Sequence, residues 1–112
     1  MSIDITASSQ QEVDWLGSYL KALADPLRWH IVRALANEQL CVCHLASLLN
    51  VSQPLASHHL RILKNSGLVE TEHYRYWTYY RLRPQALAQL ASIFAGMASQ
   101  APTETERRRS CD

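Results

Sequence analysis

Two cysteines separated by one residue, in the segment Cys41-Val42-Cys43, are the residues of this sequence best suited to chemistry. The chain contains 3 cysteines, and an odd number without a secretory signal argues against a disulfide framework, so the thiols are free for metal or redox chemistry. The pair follows a polar break at residues 37–39 and opens a short helix, whose positive N-terminus favours thiolates. By itself, the pattern is also compatible with two small buried side chains.

A second group of chemically capable residues lies on the helix that follows a tight turn at residues 50–52. Plotted at about 100° per residue, residues 53–65 separate into two arcs. The apolar arc contains Leu55, Ala56, His59, Leu60, Ile62 and Leu63. Because His59 lies on this arc, we expect it to be a hydrogen-bonded packing residue. The polar arc contains Gln53, Pro54, Ser57, His58, Arg61, Lys64 and Asn65. Such a helix, placed after a short helix and a turn, is typical of a helix-turn-helix.

The polar arc carries side chains that can read base pairs in DNA. Glutamine binds adenine and arginine binds guanine in a bidentate manner, while serine permits close approach in the major groove. The alternative on this pattern alone is an ordinary amphipathic helix with a solvated polar face. With the basic, aromatic hairpin that follows, the sequence favours contacts to double-stranded DNA from Ser52, Gln53, Ser57, His58, Arg61 and Arg75.

Helix geometry suggests how the cysteines would act on this DNA-binding face. Side chains at i and i+2 diverge by about 200° on a helix but share one face in an extended chain. We therefore expect that an ion bound by both Cys41 and Cys43 distorts the first turn of their helix. That helix supports the next one, so Gln53 and Ser57 would move away from the groove and the affinity for DNA would fall by linkage.

Seven elements are predicted to position these residues. Helices are expected at residues 11–24 and 26–36, in a short segment that begins at Cys41 and carries Leu45, Leu48 and Leu49, and at 52–66 and 84–100, with two strands at 68–73 and 77–82 flanking a turn at 74–76. The fold class is mainly α with a small β-hairpin, a winged helix-turn-helix. We divide the chain into a flexible N-terminus at 1–10, a DNA-binding domain at 11–100 and a disordered tail at 101–112.

Composition agrees with one globular domain. The chain has 112 residues, 47% of them hydrophobic and only 3 Gly, which is ordinary for a single globular domain. Residues 1–49 carry three basic and five acidic side chains, whereas residues 50–85 carry five basic and two acidic ones, a polarity that suits one phosphate-facing surface. The longest nearly apolar stretch, residues 86–98, is too short to span a membrane. We expect a cytoplasmic protein with no membrane partner, no organic cofactor and no enzymatic site.

Four segments together resemble the ArsR/SmtB family of metalloregulatory repressors. They are Leu23-Ala24-Asp25-Pro26-Leu27-Arg28, Gln39-Leu40-Cys41-Val42-Cys43-His44-Leu45, Ser52-Gln53-Pro54-Leu55-Ala56-Ser57-His58-His59-Leu60 and Trp77-Thr78-Tyr79-Tyr80-Arg81-Leu82. The resemblance covers roughly residues 15–95. It implies a homodimeric winged-helix repressor, with residues 11–100 as the DNA-binding and dimerisation domain, that binds an inverted-repeat operator and leaves it when a metal or metalloid binds. The Cys-Val-Cys motif stands where the arsenic-responsive members carry theirs, which implies As(III) or Sb(III) as the inducer bound by Cys41 and Cys43.

Departures from the family pattern leave the third ligand open. Ala46 stands where arsenic sensors often have a third cysteine, and His44 stands where aspartate is common. The third ligand would be Cys111, a small thiol such as glutathione, or water, or there would be none. His44 could add a nitrogen ligand, which would suit Cd(II) or Zn(II) better than arsenic. The family's zinc site on the last helix is absent, because residues 84–100 contain no His, Asp or Glu. The alternatives are a Cd(II), Pb(II) or Zn(II) sensor using Cys41, Cys43 and His44, or a thiol redox switch, which the strain of a C-x-C disulfide disfavours.

Two further points follow from the resemblance. Arg75 stands at the wing tip, where the family usually has glycine, among aromatic residues that either contact DNA or pack within the hairpin. The apolar stripes at residues 15–23 and 87–98 are expected to form the dimer surfaces, as in the family, and the alternative is that they complete the core of the monomer.

Overall fold

The computed structural model describes residues 5–103 and 109–111. Five helices and two strands follow in the predicted order: α1 (Ile5–Leu23), α2 (Pro26–Leu35), α3 (Val42–Leu49), α4 (Gln53–Ser66), β1 (Val69–Tyr74), β2 (Trp77–Leu82) and α5 (Pro84–Gln100). The strands form an antiparallel hairpin, the wing. The prediction of a mainly helical winged helix-turn-helix is confirmed.

The first helix begins earlier than the sequence suggested. We expected a flexible segment over residues 1–10, but α1 already includes residues 5–10. No glycine or proline interrupts this stretch, and Gln10 Nε2 donates to Asp14 Oδ1 at 3.0 Å, one helical turn further on. Residues 1–4, like 104–108 and 112 of the expected tail, lie outside the described residues. The flexibility of both ends stays a prediction.

Local interactions fix the N-termini of α2 and α4 and the C-terminus of α4, as predicted. Asp25 caps α2 by accepting from the backbone N–H groups of Leu27 at 2.8 Å and Arg28 at 3.1 Å. Ser52 caps α4 through a 3.2 Å bond from the Leu55 N–H. Gly67 ends α4 with a φ of 92°, in the left-handed region where glycine carries no steric penalty.

The core joins the helix-turn-helix to the wing. Its fully buried large side chains come from α2, α3, α4 and the start of the hairpin: Ile31, Leu45, Leu60, Leu63, Leu68 and Val69. One residue departs from the predicted apolar arc, because Leu55 is 42% exposed. It lies in the first turn of α4, and the first α4 residue to be buried is Ala56.

Helices α1 and α5 both complete this core and present apolar surface. Tyr19 and Ala22 of α1, with Ala86 and Leu90 of α5, are buried in the monomer. On the same two helices, large apolar side chains remain exposed at Val13, Leu20, Phe94 and Met97. Part of each apolar stripe therefore completes the core of the monomer, and the dimer surface stays a prediction. Among the described residues, no helix is both long and apolar enough to cross a membrane.

One polar clamp attaches the back of α4 to α1 and α2. Arg28 donates from Nε to the carbonyl oxygen of Ala22 at 2.6 Å and lies with Nη1 3.0 Å from Nδ1 of His59. His59 therefore accepts through Nδ1, which confirms that it is a hydrogen-bonded packing residue. Burial lowers the pKa of His59, and the charges of Arg28 and His58 lower it further against the opposing effect of Asp25.

This clamp predicts a pH-dependent stability. Because the pKa of folded His59 lies below the unfolded value of 6.5, the unfolded chain takes up the proton first. The contribution of His59 to the free energy of unfolding therefore has its full value above pH 6.5 and decreases as the pH falls below 6.5. His59→Gln, which keeps an acceptor for Arg28, should flatten this dependence in urea unfolding between pH 5 and 7.5. The exposed His30→Gln variant is the control, and an equal flattening in both variants would contradict the assignment.

Candidate metal centre and nucleic-acid interface

Cys41, Cys43 and His44 form one cluster at the beginning of α3. Their sulfur and ring nitrogen atoms all lie within 4.8 Å of one another. The two sulfurs are 3.0 Å apart, and Cys41 Sγ lies 3.4 Å from Nδ1 of His44. Cys41 is only 5% exposed, Cys43 is half-buried and His44 is exposed, so the cluster runs from the core to the surface.

The backbone explains why the thiols converge. Cys41 is the N-cap of α3, with an extended conformation of φ −85° and ψ 167°, and the helix begins at Val42. The expectation that both cysteines belong to the helix, so that an ion must distort its first turn, is therefore wrong. Because Cys41 lies one residue outside the helix, both sulfurs already point to the same place.

The two thiols share their protons unequally. Burial raises the pKa of Cys41, but the hydrogen bond from the Cys43 thiol and those from the backbone N–H groups of His44 and Cys43 outweigh it, so the pKa falls below 9.0. The pKa of Cys43 is raised, first because its thiol donates to Cys41, and then by burial and by the charge of Cys41. The pair therefore loses its first proton at Cys41. The resulting thiolate is the form in which a cysteine binds metals.

The third cysteine, which the sequence offered as a possible third ligand, lies outside this cluster. Cys111 is an exposed free thiol and does not belong to the cluster found among the described residues. Ala46, at the position where the resembled arsenic sensors have a third cysteine, is buried in the core. Of the candidate third ligands that this chain contains, His44 is the one that the structure brings to the thiols.

A backbone bridge connects this cluster to the wing. Leu40, directly before Cys41, donates its N–H to the carbonyl of Tyr80 at 3.1 Å and accepts from the Tyr80 N–H at 2.8 Å. Tyr80 lies in β2, opposite Thr71 of β1. The sequence did not predict this bridge, since an apolar residue after a polar break carries no sign of its partner 40 positions away.

The predicted DNA-contacting residues lie on two surfaces. Gln53, His58 and Arg61 are exposed on α4, and Ser57 between them is half-buried. Ser52 is exposed as the N-cap, and its hydroxyl can still donate while Oγ accepts from Leu55. We call these five positions, four on α4 and one at its N-cap, the recognition face; their contact with DNA stays a prediction.

The sixth predicted residue, Arg75, lies at the tip of the wing. Tyr74 pairs with Trp77, so the turn contains two residues, one fewer than expected. Arg75 has a φ of 58°, in the left-handed region that glycine adopts most easily, which explains why the resembled family usually has glycine at this position. Its guanidinium lies 5.4 Å from the centre of the Tyr74 ring. Tyr76 beside it is 98% exposed and is a surface residue that sequence reasoning left open.

Ion pairs reduce the basic charge that the sequence assigned to this region. Arg81 of β2 binds Glu70 at 2.8 Å and Glu72 at 2.9 Å on the facing strand, and Arg83 lies 3.8 Å from Glu70. Both acidic residues of the segment 50–85 are thereby paired. Its remaining basic residues, all exposed, are Arg61, Lys64 and Arg75, on α4 and the wing tip.

Residues 25–71 match the bacterial regulatory proteins of the arsR family. The chain is 44% identical over 78 residues to the transcriptional repressor SmtB of Mycobacterium tuberculosis, covering 70% of this chain and 58% of that protein. It is 43% identical over 74 residues to the arsenical resistance operon repressor of Escherichia coli, with 65% and 63% covered. A cadmium resistance regulatory protein CadC homolog of Staphylococcus aureus is 41% identical over 71 residues, with 62% and 59% covered. The matched segments span just over half the length of the first curated relatives, 56% and 58%.

A solved structure supports the same relationship. The homodimeric winged helix-turn-helix DNA-binding domain of a possible ArsR-family regulator from Mycobacterium bovis superimposes with a TM-score of 0.69 at 25% identity, covering 88% of this chain and 94% of that one. The relatives carry the names of transcriptional regulators, in agreement with the prediction of a regulator and not an enzyme. With its Cys-Val-Cys segment inside the matched region, this chain belongs to the ArsR family of bacterial regulatory proteins.

Proposed function

We propose that the protein is a transcriptional repressor that binds double-stranded operator DNA as a homodimer and is released when a thiophilic ion, As(III) or Sb(III) first, binds Cys41 and Cys43. The observation that carries this proposal is the 3.0 Å separation of two thiol sulfurs beside the helix-turn-helix. Thiolates are the ligands that soft ions prefer. The pair needs no rearrangement of α3 to present both sulfurs to one ion, because Cys41 is its extended N-cap.

The recognition face and the wing tip support DNA as the partner. Gln53 and Arg61 combine base-reading chemistry with exposure, and Arg75 places an exposed cation at the wing tip. Phosphate contacts from such cations release counterions, so the affinity should fall steeply as salt rises. An inverted-repeat operator follows from the two-fold symmetry of a homodimer.

Exposed apolar residues support the dimer. Leu20 on α1, with Phe94 and Met97 on α5, presents large side chains to solvent on the two helices that flank the helix-turn-helix. Isologous packing of these helices in two copies would remove that surface from water. The M. bovis relative of similar structure is homodimeric by its description.

Among inducers, the thiolate pair and the E. coli relative, an arsenical resistance operon repressor, favour arsenic or antimony. A divalent sensor is the second candidate, favoured by His44 beside the thiols and by the S. aureus cadmium resistance relative. A redox switch is the third, since the sulfurs lie close together, but a disulfide across one intervening residue is strained.

The Leu40–Tyr80 bridge suggests how an ion at the cysteines acts on DNA. Cys41 is joined on one side to α3, which packs against α4, and on the other side to a residue bonded to β2. A change in the Cys41 backbone is therefore passed to the wing as well as to α4. This route replaces the distortion of the first turn of α3 that the sequence suggested.

A parallel titration tests the proposed function. An inverted-repeat duplex selected by the protein from a random pool would be labelled, and the complex titrated with arsenite, Cd(II), Zn(II) and peroxide while fluorescence anisotropy reports release. Arsenite should release the DNA at the lowest concentration, and peroxide should be ineffective. Full retention of DNA when ultraviolet absorption shows arsenite bound to thiolates would overturn the proposal.

Fluorine NMR tests the route to the wing. With 5-fluorotryptophan, Trp77 of β2 reports on the wing, and Trp29 of α2 is an internal control. Arsenite should shift the Trp77 signal while leaving that of Trp29 nearly unchanged, and Cys43→Ser should abolish the shift. A Trp77 signal that stays fixed in the arsenite-loaded protein would show that the effect bypasses the wing.

A further inference from the structure

We infer that His44 supplies the third protein ligand for a divalent ion such as Cd(II), whereas As(III) takes its third ligand from a small thiol in solution. The inference rests on the proposed function, because it concerns the same thiol pair. It separates the inducers by whether the third ligand comes from the protein or from a small thiol in solution. The observation that carries it is the position of the His44 ring beside Cys41.

The helix start brings these side chains together. Cys41 is the N-cap of α3, so Cys43 is its second residue and His44 its third. Side chains at the N-cap and third positions of a helix reach each other, the geometry that a capping box uses. Here the same geometry places Nδ1 of His44 3.4 Å from the Cys41 sulfur, and Cys41 makes no capping hydrogen bond of its own. The positions usually occupied by a capping pair thus hold two metal-binding side chains.

Charge balance separates the ions. Two thiolates and a neutral imidazole carry two negative charges, which neutralise a divalent ion inside a partly buried site. The same set leaves a trivalent ion with one uncompensated positive charge. A third thiolate removes it: arsenous acid and three thiols give a tris-thiolate and three water molecules, with no change in oxidation state.

The chain does not hold that third thiolate near the site. Cys111, an exposed thiol of the described tail, lies outside the cluster, and Ala46 occupies the buried position on α3. His44 and Cys43 are accessible, so a small thiol such as glutathione can reach an ion bound to the pair. Imidazole is a common ligand for Cd(II) and Zn(II), and As(III) prefers sulfur.

The test compares His44→Gln with two controls, Cys111→Ser and the exposed His30→Gln. Cd(II), without added thiol, and arsenite, with and without glutathione, would be titrated against the whole protein while thiolate-to-metal absorption is recorded. His44→Gln should weaken Cd(II) binding by about tenfold or more, by comparison with the losses seen when metal-site partners are removed. Arsenite affinity should be unchanged in this variant and should rise with glutathione. Both controls should bind all ions like the wild type.

Several results would overturn the inference. These are an unchanged Cd(II) affinity in His44→Gln, an equal loss of Cd(II) and arsenite affinity, or an arsenite affinity that falls in Cys111→Ser. Nitrogen scattering in the X-ray absorption spectrum of the Cd(II) complex, lost in His44→Gln, gives a second readout. If these binding results hold but no ion releases DNA, the proposed function fails while the ligand assignment stands.

Discussion

Cys41→Ser and Cys43→Ser are each expected to leave operator binding intact and to abolish release by arsenite. Serine keeps the size of the side chain but removes the soft ligand, and one remaining thiolate cannot hold the ion in the same way. At position 41 the change should also preserve the fold, because Cys41 is an N-cap without a capping hydrogen bond and serine is among the preferred N-cap residues.

The measurement is arsenite titration of the operator complex by anisotropy, with thermal unfolding recorded for each variant. Cys111→Ser, which changes a thiol outside the cluster, is the matched control and should be released like the wild type. A double variant at positions 41 and 43 that still leaves the DNA with arsenite would disprove the site. Loss of operator binding in the absence of any ion would show instead that the cysteines are needed for the fold.

The features that the sequence predicted well depend on neighbouring residues. Asp25, Ser52 and Gly67 mark helix ends through contacts made within four residues, so their types alone identify them. The position of His59 on the buried side of α4 follows from helical periodicity. The order of elements, and with it the fold class, could be read for the same reason.

The features that it missed depend on one-residue boundaries or on distant pairing. The sequence suggested that both thiols can meet one ion only if the helix is distorted. Because α3 begins at Val42 and not at Cys41, the thiols converge without that distortion. The Leu40–Tyr80 bridge and the pairing of Arg81 with both glutamates of β1 depend on strand register, which composition does not encode. The donor set of the site was therefore predictable, whereas its geometry and its connection to the wing were not.

Gln53→Ala and Arg61→Ala are each expected to weaken specific operator binding by about 1–3 kcal/mol, the range for a bidentate contact to a base. Both side chains are exposed on the recognition face, so their truncation should not disturb the core. Truncation of an arginine that only neutralises phosphate would instead weaken binding to all DNA and reduce the salt dependence.

Measuring each variant on the operator and on a random duplex at several salt concentrations distinguishes the two roles. Arg33→Ala, at an exposed arginine of α2 that does not belong to the recognition face, is the control for the loss of one positive charge and should change both affinities little. A base-reading residue lowers the ratio of operator to random affinity, because its energy is gained only on the correct sequence. If Gln53→Ala and Arg61→Ala weaken both duplexes equally, these residues contact the DNA backbone, and the sequence preference must come from elsewhere on α4 or from the wing.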